Sequence, residues 1–352
     1  MKYAYIEKIK DINGFPITQI WVNNGIIRFS VILERGFDIG EIYLRDEKIS
    51  WERDVKHLLN SKSVDLKREG GWEKGFYCAV TSLGPQLFGT PDEIRTVHGT
   101  VAYSAFDEDS LKISEDEQGI TVSASCFVKG FEEECDYKKT VTIYTRINSE
   151  VILRKEDILN ISEEILPIDD GYHIQLGGNY IKDGGKLVLP VPNEELLLRD
   201  SAPVESDPTR IYPFAEKLEP IRCYQYVPRK VVGLEKIEDV NSYIDIVDNK
   251  ANLTCEMWID DNENCAAVIM RPLDDFPRSL IAKRNLDNDE PMYAIEPCKT
   301  RPNSIQQKAI DGELQYIAPG QKKASLLAIF VTKKKTPIQK IKSFIEDAKN
   351  RY

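Results

Sequence analysis

A chain of 352 residues, 41% hydrophobic and 30% charged, can bury a sizeable core without disulfides or metals. Its formal net charge of −11 argues against nucleic acid, anionic membrane surfaces and heparin-like polymers as partners. No run reaches the ~18 apolar residues of a membrane span, and no GxSxG, Walker, GxGxxG or HExxH motif occurs, which disfavours serine-hydrolase and nucleotide-cofactor chemistry.

The N-terminal stretch "MKYAYIEKIKDINGFP" carries charge throughout and lacks the apolar segment of a secretion signal, so a soluble, cytoplasmic protein is expected. The sequons at Asn160 and Asn252 are then chance matches. Next, "ITQIWVNNGIIRFSVIL" reads as two strands around Asn23, Asn24 and Gly25, the Asn-Gly step supplying the positive φ of a tight hairpin. "FDIGEIYLRDEKISW" repeats the theme with an Arg-Asp-Glu turn, and the segment 51–62 reads as a short helix. "GITVSASCFV", "YKKTVTIYTR" and "EVILRKEDILNIS" form a meander of half-buried strands. Residues 191–235 are the loosest stretch, read as long connections within a domain. "KLVLPV", "SYIDIV", "NLTCEMWI", "CAAVIMRP", "MYAIEP" and "SLLAIFVT" are further strands. The chain closes on a helix, "TPIQKIKSFIEDAKNRY", with Thr336 as N-cap, Pro337 at the first helical position, and Ile338, Ile341, Phe344 and Ile345 on one face.

No linker divides the chain and no period of 20–50 residues repeats. The expected architecture is all-β: a single domain over 1–352, built as a large antiparallel sandwich with a C-terminal helix. A concave sheet face of this kind is where polar side chains from several strands converge.

Seven cysteines without a CxxC pair read as buried thiols of a reducing compartment rather than a zinc site; Cys298, two residues after Glu296, is the one nucleophile candidate. Of three histidines, His57 sits in a charged, surface-like segment. His98 lies in a β-rich run and precedes Gly99, which would permit a close approach of ligand or backbone. His173 and Gln175 share a strand face that continues to Gly177. From spacing alone, a structural histidine and a pocket floor both remain open. Glu296, in "PMYAIEPCKTRP", stands at the end of an apolar strand, where burial would raise its pKa toward that of a base. Arg35 and Asp38 interrupt the strand-like "ERGFDIG". They read either as a strand-edge ion pair or as a site pair in which Arg35 reaches a substrate hydroxyl or Glu296; Arg271 is a similar candidate. The exposed Arg/Lys cluster that a phosphorylated ligand would want is not evident in the linear sequence.

"ERGFDIGEIY", "GWEKGFYCAVTSLGPQ", "VHGTVAYSAF", "GYHIQLGGNYI" and "DDFPRSLIAKR…MYAIEPCKTRP" occur in the order found in aldose 1-epimerase-like (galactose mutarotase-like) proteins, and the chain resembles a branch of that family marked by an R-G-x-D-I-G strand. The resemblance covers about residues 26–331. It implies a supersandwich fold and a small-molecule sugar substrate bound on the concave face. It further implies that Glu296 takes the anomeric proton, that His173 gives one to the ring oxygen, and that His98 binds and polarises the sugar. Such proton exchange requires neither metal nor redox cofactor. The implied activity is mutarotase-type isomerisation. A sugar-binding module without catalysis, or a lyase or hydrolase on the same fold, are the alternatives. The chain departs from the branch at Gln175, where Asn is frequent, and at Ala282, where an aromatic residue is frequent. Oligomeric state, monomer or homodimer, is open.

Overall fold

β-branched residues alternating with polar ones put most of the chain into antiparallel strands. The structure is a computed structural model and describes residues 3–68, 70–93, 95–129, 135–177, 185–199, 208–209, 219–244, 252–285 and 291–351. An 11-stranded sheet runs Ala4–Lys10, Pro16–Asn23, Ile27–Ile32, Asp38–Leu44, Val80–Leu83, Gly171–Gln175, Met292–Cys298, Arg278–Asn285, Glu219–Tyr226 and Leu197–Leu198, with Glu47–Lys48 paired to Asp38–Leu44. An 8-stranded sheet runs Lys186–Val188, Leu253–Ile259, Ala266–Pro272, Lys322–Thr332, Val151–Asn160, Cys135–Arg146, Gly119–Lys129 and Lys112–Glu115. The strand ladders are antiparallel throughout.

Three apolar layers follow from this. Between the sheets, Ile20, Val31, Ile39, Ile174 and Ile295 meet Val122, Val141, Ile152, Ile269 and Ile329. On the outer face of the smaller sheet, Leu153, Met257, Val268 and Phe330 are covered by Ile338, Ile341 and Ile345 of the C-terminal helix. On the outer face of the larger sheet, Leu280, Ala282, Met292 and Ala294 are covered by aromatic residues from loops. Both sheets are therefore buried on two faces over their central strands, which is why Met292–Cys298 is buried at every position instead of at alternate ones.

The sandwich interior also encloses charge. Arg154 donates to Glu156 (2.7 Å), to Asp38 (3.2 Å) and to the carbonyl of Phe37 (2.6 Å), and Lys139 pairs with Glu156 at 2.8 Å. A second cluster joins Arg271, Glu256 and Ser279.

The first hairpin forms as expected, with Gly25 at φ +98 and Asn24 Oδ1 accepting from the backbone N–H groups of Ile26 and Ile27. Three expectations are corrected. The segment 51–62 makes two single 3-10 turns, Val55–His57 and Ser61–Ser63, each started by an Asp54 or Asn60 side chain that competes with a continuous helix. "SYIDIV" is no strand where described: Ser242–Ile244 close the helix Glu238–Ile244, whose Tyr243 is buried, and 245–247 lie outside the described residues. The last helix spans Lys335–Lys349, so Thr336 lies in its first turn rather than capping it. Pro337 is tolerated there because the first turn's N–H groups have no intrahelical partner. No helix among the described residues is long and apolar enough to cross a membrane.

Arg154→Met should destabilise the protein by about 3–5 kcal/mol in urea denaturation, because it leaves Asp38 and Glu156 buried without their shared guanidinium. A loss below about 1 kcal/mol would mean that water reaches these carboxylates.

Candidate functional site

Directly opposed residues of an antiparallel pair lie on the same face of a sheet. The strand Gly171–Gln175 pairs with Met292–Cys298 in the register Gly171↔Cys298, Ile174↔Ile295 and Gln175↔Ala294. That register sets His173 opposite Glu296. Thr81, partner of His173, and Leu280, partner of Glu296, extend the row. Tyr172, Ile174, Tyr293 and Ile295 turn into the sandwich. His173 and Glu296 turn the other way, into a chamber walled by Trp51, Trp72, Phe76, Phe88 and Tyr103.

Loop packing positions these rings. Trp72 opens the short helix Gly71–Lys74, and a Cβ on Gly71 would fall 1.9 Å from the carbonyl oxygen of Asp65, so only glycine lets this turn seat. Trp72 lies 5.0 Å from the ring of His98 and 4.7 Å from that of Phe76, which itself meets His173 edge-on at 4.7 Å. The indole N–H of Trp72 is buried and has no hydrogen-bond partner among the described residues. A cleft of about 500 Å³ opens alongside, lined in part by Leu66, Trp72, Pro91, Arg95 and Val97.

His173 Nε2 stands 3.4 Å from Glu296 Oε1, and the two side chains are only 5% and 4% exposed. Gln175 Nε2 donates to the carbonyl of Cys78 at 2.6 Å, which turns its Oε1 toward His173 Nδ1, also at 2.6 Å. The amide orientation thus assigns the proton to Nδ1 and leaves the Nε2 of neutral His173 bare, facing Glu296. Burial pushes the Glu296 carboxyl up to about 8, with the charge of Arg199 opposing. Burial pushes His173 down to about 4, opposed by the Gln175 hydrogen bond and aided by the charge of Arg284. Between those values the pair holds a single proton.

His98 completes the group, its ring 6.3 Å from that of His173 and perpendicular to it. It belongs to no strand: it sits in a turn at φ +61. Gly99 serves a backbone contact, since a Cβ there would meet the Gly84 carbonyl oxygen at 2.5 Å. The N–H of Gly89 donates to His98 Nδ1 at 3.3 Å, so neutral His98 carries its proton on Nε2, the reverse of His173. Burial first, then the neighbouring His173, Lys308 and Arg199, hold His98 well below the usual histidine range. The group therefore offers one imidazole acceptor, one imidazole donor and one carboxyl.

Other candidates land elsewhere. Arg35 does not reach Glu296. It is buried over the ring of Tyr103 and donates to the carbonyls of Ala102 (2.9 Å) and Leu59 (3.1 Å), tying down two chamber loops. Asp38 is neither its partner nor a chamber residue; it faces the sandwich interior and Arg154, because the left-handed Gly36 and Phe37 separate the two directions. Arg271 is likewise enclosed with Glu256. Glu296 lies within its strand, not at the end. Gln175 orients His173 and is itself engaged at both amide atoms. Cys298 is buried, and desolvation beside Glu296 and Asp169 holds its thiol well above the ordinary range, which does not suit a nucleophile. His57 is held by the Lys74 carbonyl at 2.9 Å, at the protein surface. Trp72 and Arg199 went unread in the sequence. The glycines flanking "GWEKGF" were the available signal for the first; nothing local marked the second. Among the described residues, no three His, Cys, Asp or Glu side chains group as a metal site.

Residues 16–331 match the family described as "Domain of unknown function (DUF4432)", and the chain belongs to that family. No curated protein matches. Among solved structures, a candidate aldose 1-epimerase from Klebsiella pneumoniae subsp. pneumoniae superposes with a TM-score of 0.77 at 15% identity, covering 96% of this chain and 84% of its own. A galactose mutarotase-like protein from Clostridium acetobutylicum gives 0.62 at 13%, covering 95% and 100%. Another from Lactobacillus casei gives 0.54 at 12%, covering 89% and 100%. The fold is galactose mutarotase-like.

Nitrogen-15 NMR of histidine-labelled protein near neutral pH should show His173 as the Nδ1–H tautomer and His98 as the Nε2–H tautomer. Gln175→Leu should mix the two forms at His173 alone. The same tautomer at both histidines would contradict the assigned hydrogen bonds.

Proposed function

We propose that this member of the DUF4432 family interconverts the anomers of a sugar by acid–base catalysis, as an aldose 1-epimerase-type isomerase. The observation that carries the reading is the buried His173–Glu296 pair, 3.4 Å apart on opposed strand positions and holding one proton around neutrality. The mutarotase-like fold and the mutarotase-like and epimerase-like names of its structural neighbours support it.

Opening a cyclic hemiacetal removes a proton from the anomeric oxygen while another reaches the ring oxygen. The single shared proton occupies either COOH/imidazole or carboxylate/imidazolium, forms related by transfer across the gap. In the second form Glu296 takes the anomeric proton and His173 Nε2–H delivers one to the ring oxygen. The open aldehyde turns about C1–C2 and recloses from the other face with the transfers reversed, so no net proton is consumed. His98 Nε2–H is placed in this scheme to donate to the anomeric oxygen as it becomes a carbonyl. The unpartnered Trp72 N–H serves a sugar hydroxyl, and the loop rings over Ala282 supply the apolar platform that this position lacks. Arg35, Asp38, Gln175 and Arg271 act in this reading through scaffold and orientation. We read residues 1–352 as one domain, because the principal core draws on both sheets. A reducing, cytoplasmic setting agrees with six described cysteines that remain thiols.

Glu296→Gln and His173→Ala should each slow anomer exchange about 10²- to 10⁴-fold, read by NMR saturation transfer over a panel of free sugars. Wild-type protein that accelerates no sugar would sink the reading. The profile of kcat/KM against pH should be bell-shaped, with limbs near 4 and 8 that belong to the pair. Above about 8 the pair loses its only proton and has no acid; below about 4 it gains a second and has no base. A rate that stays flat from pH 5 to 10 would rule out Glu296 as the titrating group.

A further inference from the structure

The chain is acidic overall, yet beside its chamber stands an arginine for which no described carboxylate forms an ion pair. Arg199 follows Leu197–Leu198, the outermost strand of the larger sheet, and its backbone N–H is fixed by the Cys223 carbonyl at 2.8 Å. Its Nη2 donates to Thr90 Oγ1 (3.2 Å) and to the Pro302 carbonyl (3.0 Å), and Thr90 Oγ1 donates to that same carbonyl at 2.6 Å. Those acceptors are uncharged, and no carboxylate among the described residues forms an ion pair with Arg199. They also mark the junction of the two segments that carry the site. Gly89, beside Thr90, brackets His98 through two backbone contacts and packs against Pro302, six residues beyond Glu296.

The guanidinium therefore sits where the His98 and Glu296 segments meet, and its charge acts on both residues. Among the described residues its partners are bound through Nη2, and the Arg199 side chain is exposed. Among the described residues, Arg284 pairs with Glu73 and Lys308 with Asp169. Glu296 is mostly protonated at neutral pH and does not offset the arginine. A planar cation held, among the described residues, by neutral acceptors beside a partly desolvated site is suited to a ligand carboxylate or phosphate, which it can grip with two parallel hydrogen bonds.

We propose that the sugar accepted by this site is anionic, and that Arg199 binds its carboxylate or phosphate group beside the chamber. This rests on the reading of the site as a sugar isomerase and narrows its substrate class.

The test uses the full chain and four probes: glucose, galactose, glucuronate and glucose 6-phosphate. Anomer exchange and calorimetric binding are measured for wild type, Arg199→Gln, Arg199→Lys and His173→Ala. Wild type should favour uronate or hexose phosphate over the neutral hexoses by at least about 10-fold in kcat/KM, and whichever anion is favoured identifies the group bound. Arg199→Gln should lower that preference roughly 10- to 100-fold, chiefly through KM, as expected for a lost charge-assisted hydrogen bond. Arg199→Lys should restore part of it, and added salt should weaken anion binding in wild type. His173→Ala should still bind the anion while losing exchange, which separates this inference from the catalytic one. If wild type binds an anionic sugar without turning it over, and Arg199→Gln abolishes that binding, the inference stands and the isomerase reading falls. Equal handling of neutral and anionic sugars, or a preference that Arg199→Gln leaves in place while its melting temperature matches wild type, overturns it.

Discussion

The antiparallel register between Gly171–Gln175 and Met292–Cys298 is the constraint on which the site depends. It fixes His173 against Glu296 through main-chain hydrogen bonds, without relying on loop order. A slip of one residue would move either side chain to the opposite face, His173 into the aliphatic layer or Glu296 against Trp258 and its neighbours. Such a slip is opposed from both sides. The interior face carries Tyr172, Ile174, Tyr293 and Ile295 into the main core, and the chamber face packs Met292 and Ala294 under aromatic rings. Two-sided burial thus serves geometry as much as stability: the register cannot relax without exposing one apolar layer or the other.

The same burial sets the chemistry. A carboxyl that has lost its water and has one imidazole for company keeps its proton to about pH 8, and an imidazole in the same place gives its proton up above about 4. The usual order of acid strengths of a carboxyl and an imidazole is inverted. Contrast the interior of the sandwich, where Glu156 is equally buried yet falls to about 2, because Lys139 and Arg154 surround it. For Glu156 the two surrounding cations outweigh burial, whereas Glu296 has only the charge of Arg199 opposing it.

How much of this could be read from the chain depended on whether the signal was local. Strand alternation, the Asn23–Gly25 hairpin and the amphipathic last helix are written within a few residues, and they appear. His173 and Gln175 sharing a face is likewise a consequence of a two-residue period. What failed was long-range or conformational. "SYIDIV" has strand composition, but Tyr243 is drawn into the layer beneath the last helix, and tertiary packing overrides propensity. Arg35 and Asp38, three residues apart, diverge because Gly36 and Phe37 adopt positive φ, and a non-glycine residue in that region is not foreseeable from composition. Arg199 came from the stretch with the weakest pattern, and it matters only because Thr90 and Pro302, far away in sequence, gather around it.

The two chamber histidines carry this point furthest. In sequence they are equivalent imidazoles beside glycines. In the fold, a side-chain amide anchored on the Cys78 carbonyl holds one with Nε2 bare, and a backbone N–H holds the other with Nε2 protonated. With the pair's proton on Glu296, a group lying between them would meet an acceptor on one side and a donor on the other; transfer of that proton to His173 Nε2, which the proposed exchange requires, turns both into donors. Neither partner is itself a titrating group, so the polarity of the site does not change with pH across the range in which the His173–Glu296 pair keeps its proton. The asymmetry between the two histidines is therefore supplied by neutral hydrogen-bonding groups behind them and does not depend on what lies in front of them.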